Sequence, residues 1–213
     1  LIDAHTVHFH GFRNAIPIFD GEPHSSVGVP IIRDLTYFYK PHHPGTYMYH
    51  CHFEETEHVH MGMVGGCWVH PLLNHDTALN PNGYKYVYND GDGSTYYDVD
   101  FPLQLSGFDS NFHDQHIAVQ PLPFADMKDN YAMINGRGYP QTVDPNILYN
   151  TAAAGPEPMD DVNRPSQKIH ALVTAVGRER ILLRISGAST GDGFTAPIRG
   201  VPMRGGGAGA RRL

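Results

Sequence analysis

The chain has 213 residues, 40% of them hydrophobic and 17% charged, enough for one large or two small globular domains with a real core. A formal net charge of −7 gives no reason to expect nucleic acid as a partner, and no run is long and apolar enough to span a membrane. Two cysteines, Cys51 and Cys67, make no disulfide framework. The conspicuous excess is histidine. Of the 15 histidines, 12 fall in the first 75 residues, dispersed among Phe, Tyr, Val and Met rather than contiguous as in a purification tag.

In chain order, residues 1–70 read as β. Val7 and Phe9 alternate with His8 and His10, Leu35 to Lys40 and Thr46 to His52 are rich in Tyr, Phe and Thr, and Met63 to Val69 is a further short strand. Pro17, Gly21, Pro23, Pro30, Pro41, Pro44 and Gly45 punctuate between them, and no long helical periodicity appears. Residues 73–97, rich in Asn, Asp and Gly, read as a linker following a first domain at 1–72. Residues 98–213 return to β as a second domain. Asp98 to Gly107 alternates in part, Asn135-Gly136 marks a hairpin turn, and Ile181 to Ser186 is a strand. Pro156, Pro158 and Pro165 predict a polar loop, and the Gly-rich tail from Gly200 predicts poor order. The chain starts at Leu1 with a His-rich motif almost at once, which suggests an internal piece of something longer.

The chemistry concentrates in Tyr49-His50-Cys51-His52-Phe53-Glu54-Glu55-Thr56-Glu57-His58-Val59-His60-Met61-Gly62-Met63 and, upstream, in His5-Thr6-Val7-His8-Phe9-His10-Gly11. On a strand, residues i and i+2 face opposite to residue i+1, so Cys51 should face one site while His50 and His52 face another. His8 and His10 share one face and His5 falls on the other. One candidate site is therefore His5, Cys51, His58 and Met63. Two imidazoles, a thiolate and a distant thioether are the donors of a type 1 (blue) copper. The other is His8, His10, His50 and His52, four imidazoles that suit copper, though zinc also accepts imidazole. His60 and Met61 are weaker rival ligands.

These motifs resemble those of the multicopper oxidases, the laccase-like enzymes built from cupredoxin domains. The resemblance runs through His-x-x-His-x-His-Gly from His5, Asp20-Gly21-x-Pro23, Gly45-Thr46-Tyr47-x-Tyr49-His50-Cys51-His52 and His58-x-x-x-Gly62-Met63. Met133-Ile134-Asn135-Gly136-Arg137-Gly138-Tyr139-Pro140 and Arg180 to Ser186 resemble the family's next domain. The resemblance implies an all-β fold of Greek-key cupredoxin β-sandwich domains, the first lacking its N-terminal strands, the second incomplete and without copper. It implies type 1 copper at His5, Cys51, His58 and axial Met63, type 2 copper at His8, and the type 3 pair at His10, His50 and His52. Asp20 and Glu54 match acidic positions that supply protons to O2. The implied activity couples one-electron oxidation of a phenol or a metal ion to four-electron reduction of O2 to water. The implied location is secreted or periplasmic.

Two departures stand out. His58 lies seven residues after Cys51, two more than the usual spacing, although it still precedes Met63 by five. A trinuclear cluster of this family uses four His-x-His pairs, and only two are present: His113 and His116 are three apart and His170 is isolated. A further cupredoxin domain or subunit would have to complete the cluster. A non-catalytic blue-copper electron carrier and a copper nitrite reductase are the competing readings, and both need only His50-Cys51 without His52. For the rest, His24, His42, His43, His70 and His75 read as surface residues. Cys67 reads as an inert buried thiol and Asp90-Gly91-Asp92-Gly93 as a turn rather than a calcium loop.

Overall fold

The computed structural model describes residues 3–13, 15–118, 122–149, 167–191, 193–195 and 197–213. In chain order the elements are β1 (His8–His10), α1 (Pro17–Asp20), β2 (Gly45–His50), α2 (Glu55–His60), β3 (Val64–Val69), β4 (Lys85–Tyr86), β5 (Tyr96–Tyr97), β6 (Val99–Phe108), α3 (Ser110–Ala118), β7 (Tyr131–Ile134), β8 (Ile181–Gly187), β9 (Gly207–Ala208) and β10 (Arg211–Arg212). The architecture is predominantly β, as the sequence predicts. The loop expected at Pro156, Pro158 and Pro165 lies outside the described residues.

The first sheet is antiparallel in the order β1-β2-β3. Its register places His8 opposite His50 and His10 opposite Met48, so the two His-rich motifs meet across one ladder. Gly21 makes this approach possible. It ends α1 with φ +79°, and a Cβ there would stand 2.4 Å from the Val7 carbonyl oxygen. Val7 is also held from the other side: its N–H donates to the Tyr37 hydroxyl at 3.2 Å, and its carbonyl accepts from Tyr39 at 3.3 Å. This accounts for one failed expectation. Leu35 to Lys40, rich in strand-forming residues, is not a strand. Its tyrosines act as clamps on the chain entering β1, and Pro30 and Pro41 flank it.

In the second sheet β6 is central, with β7 antiparallel on one side and β8 parallel on the other. The Asn135-Gly136 turn is a two-residue hairpin turn with both residues at positive φ (53° and 76°), closed by mutual backbone bonds between Ile134 and Arg137. Asp109 starts α3 as its N-cap: one carboxylate oxygen accepts from the N–H groups of Asn111 (3.0 Å) and Phe112 (3.1 Å), the other from Lys128 N–H (2.7 Å). The predicted linker carries the β4–β5 hairpin, and the Gly-rich tail forms the β9–β10 hairpin rather than lacking structure.

Two buried arginines organise the rest. The guanidinium of Arg137 donates to the carbonyls of Ile169 (2.9 Å), Asp144 (2.8 Å), Asn146 (2.7 Å), Gln167 (3.3 Å) and Gln141 (3.5 Å). Arg184 on β8 pairs with Asp100 (3.1 Å) and reaches across to Thr46 Oγ1 on β2 (3.2 Å), with its guanidinium beside Trp68 and Tyr97. The two sheets are thereby pinned together.

Candidate metal centre

β2 ends at His50, and the chain then turns instead of continuing as a strand through Cys51 and His52. The opposed placement of neighbours nonetheless holds. Cys51 Sγ lies 3.3 Å from His58 Nδ1 and 3.9 Å from His5 Nδ1. Ligands bonded to one ion at about 2 Å stand roughly 3–4 Å apart, so both sulfur–nitrogen distances suit a single soft ion. Cys51 and His58 are buried, and His5 is half-buried beside them. Burial first, and then the neighbouring His58, holds the His5 imidazole below its ordinary pKa, which favours the neutral form.

The loop from Cys51 to Met63 is tied to itself. Met63 N–H donates to the His58 carbonyl (2.9 Å), and the Met63 carbonyl accepts from Cys51 N–H (3.0 Å). Met63 is thus joined by its backbone to two members of the trio. The extra residues between Cys51 and His58 are absorbed by α2, a helix that the sequence did not reveal because six residues carry no apolar period. Glu54 takes the left-handed conformation at its N-terminus (φ 49°, ψ 50°). Of the rival ligands, His60 turns away to the second sheet and Met61 is 40% exposed.

On the opposite side, His8, His10 and His50 bring ligand nitrogens together, with His50 Nε2 3.5 Å from His10 Nδ1. The rings of His52 and His8 pack edge to face at 5.1 Å, but the His52 nitrogens stand outside that three-residue group. Each of two imidazoles has one nitrogen engaged and the other left for an ion. His50 Nδ1 donates to the Cys51 carbonyl (2.9 Å), and His8 Nδ1 to the Asp20 carbonyl (2.6 Å). Burial lowers the His50 pKa, with the Cys51 carbonyl partly opposing it. His10 is the exposed member.

The acids fall differently from their expected positions. Asp20 orients His8 through its backbone carbonyl, with its carboxylate 3.6 Å from the same nitrogen. The Glu54 carboxylate lies on the thiolate side, 3.9 Å from His58 Nε2, and Asp3 joins it there. The acid beside the imidazole cluster is Glu55, 3.4 Å from His50 Nδ1 and 3.7 Å from His52 Nε2. Nothing in the sequence separates Glu54 from Glu55, because the distinction comes from the left-handed turn at Glu54. Thr6 was missed as well. Buried between His5 and His8, it accepts from His52 N–H at 3.1 Å and so ties the two ligand motifs together.

The surface histidines are where the sequence places them, with His24 bonded to Glu22 at 2.6 Å. Cys67 is a free, half-buried thiol whose pKa is pushed up by burial. Among the described residues no helix is long and apolar enough to cross a membrane.

A thiolate–imidazole group thus stands back to back with an all-imidazole group, donor sets that suit two kinds of metal centre. A family model described as multicopper oxidase matches residues 1–74. Members of that family are copper proteins. No curated protein sequence matches the chain. The chain is similar to the solved structure of a blue copper oxidase from Nitrosomonas europaea (25% identity, TM-score 0.49, covering 67% of this chain and 40% of that one). It is also similar to a multicopper oxidase from Pseudomonas thermotolerans (21%, 0.44, 65% and 30%) and a laccase from Botrytis aclada (19%, 0.41, 68% and 24%). The chain therefore spans well under half the length of each of these structures.

Proposed function

We propose that this chain supplies the type 1 copper site and half of the trinuclear cluster of a laccase-like oxidase. In this reading His5, Cys51 and His58 hold type 1 copper with Met63 axial, His8 holds type 2 copper, and His10, His50 and His52 hold the type 3 pair. The observation that carries the reading is the split at one peptide bond, with Cys51 Sγ facing His58 (3.3 Å) and the adjacent His50 facing His10 (3.5 Å). Copper would supply one-electron acceptance on the thiolate side and reduction of O2 to water on the imidazole side.

The residues perform the remaining work. Cys51 and His50 are linked twice, once through the backbone and once through the His50 Nδ1–H bond to the Cys51 carbonyl, which gives an electron two short routes between the sites. Asp3 and Glu54 make the outer edge of His58 acidic, a surface that suits a metal cation or the hydroxyl of a phenol as reductant. For protons, the geometry favours Glu55 over Glu54, because Glu55 touches both His50 and His52. Asp20 is the second candidate, next to His8. A further cupredoxin domain or a second subunit supplies the other four histidines. Residues 1–72 form the copper-bearing domain, 73–97 a linker, and 98–213 a copper-free domain. A secreted or periplasmic location accords with this chemistry.

Oxygen uptake by the copper-loaded protein assembled with the domain or subunit that supplies the other four histidines, with a phenol and then a metal ion as reductant, tests the reading. Uptake with one of them supports it. Intact blue absorption without uptake assigns the protein to the electron carriers instead.

A further inference from the structure

α2 carries two buried histidines with different fates. His58 faces Cys51, whereas His60 leaves the first sheet altogether. Its Nε2 lies 2.7 Å from Asp129 Oδ1, and its Nδ1 lies 2.6 Å from His113 Nε2. The Asp109 backbone N–H also approaches His60 Nε2, at 3.1 Å, so the ring is held on both nitrogens whichever of them carries the proton. Asp129 is held in turn by the Ser189 hydroxyl at 3.1 Å. The His60 side chain is fully enclosed and that of Asp129 is 4% exposed. The rings of His60 and His113 stack on Phe108 at 5.3 and 4.7 Å.

Phe108 ends β6, His113 lies on α3, Asp129 precedes β7 and Ser189 follows β8. One side chain from the Cys51–Met63 loop is thus gripped by residues from every part of the second sheet. The loop is rigid within itself through the Cys51, His58 and Met63 backbone bonds. Turning α2 about its axis would carry His58 and His60 together, so holding His60 fixes the direction of His58.

We propose that His60 and Asp129 are positioning residues for the thiolate–imidazole site: the second sheet, which contributes no ligand to it, sets the orientation of His58 through this buried pair. The proposal rests on the copper assignment for its spectroscopic consequence, but the latch itself exists without metal.

The test therefore has two arms on the same chain. In metal-free protein, Asp129→Asn and His60→Gln should speed amide exchange across α2 and Met61–Met63 by about ten- to a hundredfold, the cost of a hydrogen bond to a charged group. Amides of β6 distant from the pair should be unaffected. In copper-loaded protein the same variants should shift the thiolate-to-copper absorption and the copper hyperfine splitting, with Asp129→Glu restoring part of the parent signal. Unchanged α2 exchange in both variants overturns the latch. Faster exchange with an unmoved copper spectrum overturns the positioning role. Absence of a thiolate-to-copper band in the unsubstituted protein refutes the copper reading and with it the positioning role, while the exchange arm still decides the latch.

Discussion

His50 turns its Nδ1 onto the carbonyl oxygen of Cys51, 2.9 Å away, while the sulfur of Cys51 faces the other way toward His58 at 3.3 Å. One pair of neighbours thus belongs to two sites. The bond also settles which His50 nitrogen is left to bind, since only Nε2 points at His10. Removing the His50 ring should therefore be felt on one side alone. His50→Ala is expected to lower the copper content yet to keep the thiolate-to-copper band, as copper analysis and absorption on the same sample would show.

Gly21 is the point where α1 meets β1. Its φ of +79° and the 2.4 Å approach to the Val7 carbonyl leave no place for a methyl group. Gly21→Ala should destabilise the chain by more than about 1 kcal/mol. It should also loosen the Asp20–His8 bond, and thermal unfolding of the metal-free protein is the direct check.

Asp109 ties α3 to the segment before β7. The Lys128 N–H foremost, then those of Phe112 and Asn111, hold its carboxyl below the ordinary aspartate value of 3.8. A depressed carboxylate pKa contributes stability that is present above that value and is lost as pH falls through the lower, folded one. Asp109→Asn should flatten the acid limb of the stability curve below about pH 4. Asp109→Ala should cost about 1 kcal/mol or more at neutral pH by removing the cap. Urea titrations at a series of pH values separate the two effects.

Arg137 has no exposed surface, and the acceptors of its guanidinium are backbone carbonyls. Arg137→Met would strand those carbonyls without a donor, at a cost of roughly 3 kcal/mol or more. Arg137→Lys should recover only part of that, because an ammonium cannot reach acceptors spread around a planar fork. Chemical denaturation of both variants checks the order.

The two clusters of candidate donors, His5, Cys51 and His58 on one side and His8, His10 and His50 on the other, were legible because the pleat of a strand sorts neighbours onto opposite faces. The β character was legible from Tyr, Thr and Val content. What escaped depends on contacts distant in sequence or on single backbone angles. Nothing local in Leu35 to Lys40 says that Tyr37 and Tyr39 will clamp Val7 rather than enter a ladder. The left-handed turn at Glu54 decides which glutamate meets which histidine. His60 finds Asp129 across 69 residues. The parallel pairing of β6 with β8 joins segments some 80 residues apart, and no hairpin signal announces it.

The most direct measurement is the absorption and electron paramagnetic resonance spectrum of the chain after copper loading, alongside Cys51→Ser. An intense thiolate-to-copper band with the narrow hyperfine splitting of a type 1 site, abolished by the substitution, is the expected result. A parent spectrum without that band, or one that survives loss of the Cys51 sulfur, would contradict the copper assignment.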